Sequence, residues 1–198
     1  EAIDPVRFIS NHSSGKMGYA IAGELAARGA EVTLISGRTS LDCPEGVRRV
    51  DVLSAEEMYR AATEAFGAAD GAVMCAAVAD YTPEEVATTK LKKGDGELVI
   101  RLRRTHDIAA ELGARKEGRL LVGFALETDD EEAHAEEKLA RKHFDFIVLN
   151  SLRDAGAGFR GDTNKVTFID GSGREPLPLL SKHEVAVRIV DRIEKLLK

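Results

Sequence analysis

The sequence predicts an α/β fold: a doubly wound, mostly parallel Rossmann-like sheet with an added β-hairpin. Three observations carry this. Short apolar runs alternate with segments whose apolar residues recur at helical spacing. Gly71 to Val78 is almost wholly apolar, as a parallel strand buried on both faces should be. A loop of small polar residues, Asn11-His12-Ser13-Ser14-Gly15-Lys16, separates the first apolar run from the first helical pattern, where such folds hold their ligands.

The elements follow in order. Arg7 to Ser10 reads as a short first strand. Met17, Ala20, Ile21 and Leu25 fall at helical spacing, and Gly29 is placed to end that helix. Glu31 to Ser36 and Val47 to Val52 read as strands. Ser54 with Glu57 forms a capping-box signature before a helix carrying Met58, Ala61, Ala62, Ala65 and Phe66. After the 71–78 strand, Glu97 to Arg103 reads as a strand that breaks the alternation. Leu120 to Leu126 (strand), Glu131 to His143 (helix) and Phe146 to Asn150 (strand) resume it. Lys165 to Leu179 reads as a hairpin about Asp170-Gly171-Ser172-Gly173. A Ser181/Glu184 capping box opens the last helix, whose stripe is Val185, Ile189, Val190, Ile193 and Leu197. Nothing marks a linker or a repeat, so residues 1–198 read as a single domain.

Composition narrows the function. The 198 residues carry 28 basic and 34 acidic side chains, a net charge of −6, which argues against a nucleic-acid or anionic-membrane binder. No apolar run approaches the ~18 residues that span a bilayer. Two cysteines, Cys43 and Cys75, without CxxC spacing suit a reducing cytoplasm, and the five histidines show no metal-ligand spacing. The chain begins at Glu1 rather than methionine, which reads as processing or excision from something longer.

In an open parallel sheet, ligands bind beyond the carboxyl ends of the strands. That selects the loops at 11–16, 36–40, 76–94, 126–130 and 150–164. Ser13, Ser14 and Gly15 precede a helix, where free N–H groups and the helix dipole favour a phosphate; an ordinary capped turn has the same composition. The run is neither GxGxxG nor a Walker A loop. In Cys75-Ala76-Ala77-Val78-Ala79-Asp80, the alanines let a flat ring approach the backbone and Asp80 can accept from ribose hydroxyls; tight packing followed by a turn aspartate is the alternative. Cys75 itself reads as a small buried hydrophobe. Lys90-Leu91-Lys92-Lys93 places three lysines in four residues with no carboxylate in the four residues before Lys90, either a polyphosphate clamp or a solvated tip. Lys138 and Lys142 share a helix face with no acid at i−4, so they are either solvated or facing an anion. Phe124 either stacks on a ring or packs in the core, and Asp107 or Thr105 caps a helix start. A nicotinamide-dependent reductase is the competing class. It needs Tyr-x-x-x-Lys, but Tyr19, Tyr59 and Tyr81 are followed four residues later by Gly23, Thr63 and Glu85.

Taken together and in this order, the segments Asp4 to Gly18, Ala76 to Tyr81, Lys90 to Lys93, Val122 to Thr128, the Lys138/Lys142 pair and Phe159 to Asn164 resemble the phosphopantothenate–cysteine ligases (phosphopantothenoylcysteine synthetases) of coenzyme A biosynthesis. The resemblance spans essentially the whole chain. It implies CTP-dependent joining of 4'-phosphopantothenate to L-cysteine through an acyl-cytidylate, with Mg²⁺ on the CTP phosphates and no protein metal site. It further implies that backbone at Met74, Cys75 and Ala76 reads the base, that Asp80 holds the ribose, and that Lys90 holds the triphosphate. His106, Asp107, Ile108, Ala109, Phe124, Lys138 and Lys142 also fall on nucleotide-binding positions. Asn11 falls on the acyl-contacting position, with Arg7 and Ala77 beside the same end of the substrate. Lys90 to Gly94 would form a flap. The family is dimeric, with 97–103 and 165–179 as the expected dimer elements. In most bacteria it is fused behind a flavin-dependent decarboxylase. Two positions depart from many relatives: Asn150-Ser151 stands for Asn-Asp, and His106 for Pro.

Overall fold

The computed structural model describes residues 1–94, 96–127, 130–151 and 161–198. Its central sheet has five strands in the order β10-β9-β7-β6-β3, where β3 is Gly71–Met74, β6 Leu120–Glu127, β7 Phe146–Ser151, β9 Val166–Asp170 and β10 Gly173–Pro176. β3, β6 and β7 run parallel, and β9 and β10 close the sheet as an antiparallel hairpin. A second parallel pair joins β1 (Val32–Ser36) to β2 (Val47–Asp51).

Side-chain alternation along β7 shows why helices cover both faces. Phe146 and Val148 point into one core cluster, with Met17 and Ile21 of α1 (Lys16–Ala27) and Val185, Ile189 and Ile193 of α5 (Lys182–Leu196). Ile147 and Leu149 point the other way, towards Ala135 of α4 (Glu131–Arg141). A third cluster joins Phe66 of α2 (Ala55–Phe66) and Leu112 of α3 (Ile108–Ala114) to Leu121. Phe146, Ile147 and Val148 are fully buried, each contributing about 1.5–3 kcal/mol of transfer free energy.

Helix starts follow their caps. Ser54 accepts from the Glu57 N–H, Asp107 from the Ala110 N–H, and Ser181 with Glu184 forms a complete capping box.

Three expectations need correction. Arg7 to Ser10 is not a strand; it makes a lone antiparallel bridge, Ala2 with Phe8. The Asp4 carboxylate takes the Val6 and Arg7 N–H groups at 2.8 and 2.9 Å and turns the chain at Asp4-Pro5 instead. The 71–78 strand stops at Met74 and stands at the edge of the central sheet, half-buried rather than buried on both faces, and its expected continuation leaves the sheet as an open loop with Ala76 and Ala77 exposed. The 97–103 strand contracts to β5 (Leu102–Arg104), because its partner β4 (Tyr81–Pro83) offers only three residues. The 165–179 hairpin forms as expected, and both its strands join the central sheet, with Val166, Phe168 and Ile169 of β9 buried. A further small pair, β8 (Thr163–Asn164) with β11 (Leu180–Ser181), had no sequence signal.

Candidate functional site

The carboxyl end of β3 is the organising point. Asn11 donates its side-chain amide to the Val78 carbonyl at 3.0 Å, which ties the N-terminal loop to the alanine loop. Thr105 donates its hydroxyl to the Ala79 carbonyl at 2.7 Å and its N–H to the Asp80 carbonyl at 3.0 Å. Two residues on, Asp107 accepts from Lys142 Nζ at 2.9 Å. Asn11, Ala76 to Asp80, Thr105 to Asp107 and Lys142 therefore form one connected rim, although they come from four distant parts of the chain.

The start of α1 faces the same point. Gly15 adopts φ 74°, a left-handed conformation that a side chain would strain, and lets the chain enter the helix. Ser13 and Ser14 accept from the N–H groups of Gly15 and Lys16 at 3.3 and 3.4 Å. Those two donors are thus already engaged. Among the described residues, the next two, Met17 and Gly18, donate to no protein acceptor and supply the free positive end of the helix. A Cβ on Gly18 would stand 3.9 Å from Cys75, so the helix start lies directly against the β3 exit.

Charge is divided unevenly. Lys90, Lys92 and Lys93 are exposed and, among the described residues, pair with no carboxylate. Lys142 is different: its ammonium is neutralised by Asp107, so the reading of an unexplained cation fails there. Burial opposes ionisation of Asp107, but Lys142 and the Ala110 N–H outweigh it and lower its pKa. Arg7, a substrate-binding candidate, pairs with the buried Asp4 and donates to the Leu91 carbonyl at 2.8 Å. Burial pushes the Cys75 thiol up to about 12, which leaves it without nucleophilic character.

The remaining candidates are dispersed around this rim. Met74 ends β3 and packs into the third cluster. Phe124 is half-buried against the first cluster. Asp80 is exposed at the rim, and Ile108 and Ala109 open α3 beneath it. His106 stacks on Tyr59, with ring centroids 4.3 Å apart, and places Nε2 3.4 Å from Glu56. Lys138 lies one turn before Lys142 on α4. Thr128 and Phe159 lie outside the described residues, as do parts of the 126–130 and 150–164 loops.

The sequence reading missed Asn150 and Asn164. Each has a buried side-chain oxygen with no partner among the described residues, Asn150 near the carboxyl end of β7 and Asn164 beside Met17. An asparagine closing an otherwise apolar strand was the available signal for Asn150. Among the described residues no group of three His, Cys, Asp or Glu side chains is placed to cage a metal.

The family model described as the DNA/pantothenate metabolism flavoprotein C-terminal domain matches residues 1–197. The chain belongs to this family. Among curated proteins, the bifunctional coenzyme A biosynthesis protein CoaBC of Bacillus subtilis (strain 168) is 49% identical over 201 residues, covering 100% of this chain and 49% of that protein. A protein named cysteine/cysteine sulfinic acid decarboxylase, from an unknown prokaryotic organism, is 54% identical over 98% of this chain and 55% of its own length. The chain of this flavoprotein-family member thus spans about half the length of the curated relatives it matches. The crystal structure of the C-terminal domain of CoaBC superposes with TM-score 0.85 at 44% identity, covering 100% of this chain and 90% of that one. At 16% identity, a Cab2 variant complexed with phosphopantothenate-cysteine shares the fold with TM-score 0.76, covering 99% of this chain and 83% of that one.

Proposed function

We propose that the chain is the ligase domain of a coenzyme A biosynthesis protein, joining 4'-phosphopantothenate to L-cysteine at the expense of CTP. The observation that carries this is the connected rim at the β3 exit. It joins a side-chain amide (Asn11), an exposed carboxylate (Asp80) and the start of α1 at loops where open sheets bind nucleotides, and the Lys90 to Lys93 segment, which among the described residues pairs with no carboxylate, is tied through Leu91 to Asp4 and Arg7 on the segment that leads to Asn11. Relatives named as coenzyme A biosynthesis proteins, matched along the whole chain, support a role in that biosynthesis, and the substrates follow from the resemblance of the motifs.

The residues divide the work as follows. Substrate carboxylate oxygen attacks the α-phosphorus of CTP; a P–O bond forms, and the bond to pyrophosphate breaks. The cysteine amine then attacks the acyl carbon, loses a proton and expels CMP. Lys90 carries positive charge towards the triphosphate as pyrophosphate leaves. The free N–H groups of Met17 and Gly18 and the turn at Ser13 to Gly15 receive a phosphate. Backbone at Met74 to Ala76 meets the base, and Asp80 accepts from the ribose. Asn11, held at the Val78 carbonyl, aims its amide at the acyl oxygen, with Ala77 and Arg7 beside it. His106 to Ala109, Phe124, Lys138 and Lys142 line the nucleotide side. A Mg²⁺ ion would be held by the phosphate oxygens of the nucleotide. When bound, it would neutralise phosphate charge.

A homodimer fits the exposed apolar surface. Val6 (60%), Phe8 (64%), Leu98 (59%) and Val99 (77%) are exposed on the N-terminal segment and beside the β4–β5 arm. A decarboxylase half in the native protein fits relatives twice as long. Cys43 and Cys75, both free, fit a reducing cytoplasm.

The test is pyrophosphate release from phosphopantothenate with CTP or ATP, with and without cysteine. Sustained CTP turnover that requires cysteine supports the reading, and Lys90→Ala should then cut kcat about 30- to 1,000-fold. A folded chain that releases no pyrophosphate with either nucleotide would sink it.

A further inference from the structure

The Asp4 carboxylate is entirely buried and is the acceptor for five donors. Its Oδ1 takes the N–H groups of Val6 and Arg7. Its Oδ2 takes Arg7 Nε at 2.9 Å, Arg7 Nη2 at 2.5 Å and, from far along the chain, the Leu91 N–H at 3.1 Å. Arg7 Nη2 closes the circuit by donating to the Leu91 carbonyl at 2.8 Å. One ion pair thus grips both main-chain polar groups of the residue that follows Lys90. A further strut, the Ala87 N–H on the Ile3 carbonyl at 3.0 Å, holds the same stretch three residues before Lys90. The lysine side chains on this stretch are exposed, so side-chain packing does not position them.

We propose that Asp4 is a positioning residue for the Lys90 ammonium: through Leu91 it sets where the lysine-bearing segment stands relative to the triphosphate. Arg7 is the second half of the same grip. Because Arg7 lies four residues before Asn11, the grip also fixes the distance between the cation that serves the phosphates and the amide that serves the acyl group. An isolated buried carboxylate would be costly, and its partners account for its survival in the ionised form: burial opposes ionisation, yet Arg7 and the three backbone N–H groups hold the carboxyl well below the usual range.

The catalytic part of this inference rests on the ligase reading; the structural part does not, and two readouts separate them. The first is limited trypsin digestion of the full chain. In Asp4→Asn, which keeps shape but loses charge, cleavage after Lys90, Lys92 and Lys93 should accelerate about tenfold. Cleavage at the helical sites Arg60 and Arg188 should hold, whereas the melting midpoint should fall, because the depressed carboxyl of Asp4 stabilises the folded chain in its ionised form. Arg7→Gln should do the same, and the double variant should be cut no faster than either single one. The second readout is ligation, where Asp4→Asn should lower kcat with little change in KM for CTP. Cleavage of the lysine segment at the wild-type rate, or acceleration spread evenly over all sites, overturns the proposal. Wild-type chain without ligase activity would sink the function and leave the digestion to decide the grip.

Discussion

Gly123 is a position where a single methyl group should be felt throughout the sheet. It sits on β6 between Met74 of β3 and Ile147 of β7, one residue before Phe124. A Cβ added there would stand 2.6, 2.7 and 2.9 Å from three ring atoms of Phe144. Carbon atoms pack comfortably at about 3.5–4.0 Å, so the ring must retreat by about 1 Å. It has little room to do so, because Phe144 packs against both the second and the third core clusters. Overpacking of this kind costs about 1–3 kcal/mol, against the ~0.5–1 kcal/mol that alanine normally gains over glycine in a strand. Gly123→Ala should therefore destabilise by about 1–2 kcal/mol, lowering the melting temperature by about 3–7 °C. Circular dichroism melts of Gly123→Ala, Phe144→Leu and the double variant make the test specific. Shrinking the ring removes the obstacle, so the double variant should be more stable than the sum of the single losses by about 1 kcal/mol. A Gly123→Ala protein that melts at or above the wild-type temperature, or losses that simply add, would refute the account.

Other expectations are smaller in scope. Asp107→Ala removes both a helix cap and the Lys142 partner, worth about 1 kcal/mol and under about 1 kcal/mol respectively, since the pair is partly solvated. Its pKa is depressed in the folded state, so the stabilisation is present above the unfolded carboxylate pKa and is lost as pH falls through the folded one. The wild-type melting advantage over Asp107→Ala should accordingly be about 2–6 °C at pH 7 and shrink between pH 5 and pH 3; a pH-independent gap would contradict this. Of the two thiols, exposed Cys43 should react promptly with a disulfide reagent at pH 8, whereas Cys75, pushed up to about 12 by burial, should react only on unfolding. Two fast thiols in the native protein would show the Cys75 placement to be wrong.

What was legible in the sequence was what local chemistry decides. The Ser181/Glu184 box, the Asp107 cap and the hairpin about Gly171 and Ser172 each depend on residues within a few positions of one another. The apolar strand at 120–127 announced itself for the same reason. Features set by distant partners were not legible. Asp4-Pro5 is a turn signal, but the apolar residues that follow it obscure the turn, and its full role appears only when Leu91 arrives. The apparent strand from Cys75 onward has the composition of its predecessor, but the chain turns away from β6, which runs on to Glu127. Lys142 looked unneutralised because helix spacing was searched for its acid, while the acid sits on the next helix over. At the candidate site, the small residues of the Ser13 to Gly15 turn and the alanine loop were visible because they stand together in short runs of the chain. Asn150 and Asn164 stood only in segments named as a strand or for the resemblance, and whether an amide oxygen finds a partner is decided by packing against distant parts of the chain.

The first core cluster has a consequence for the order of synthesis. Met17 and Ile21, only a few residues after Asn11, are buried among side chains drawn from residues 120 to 193. When the turn at Ser13 to Gly15 leaves the ribosome, almost nothing that it and α1 lean on has yet been made. Such contacts close long loops and form slowly. The Ser13 to Gly15 turn is therefore among the last segments to become ordered, and, on the proposed function, a nascent chain should be unable to capture nucleotide until α5 has emerged.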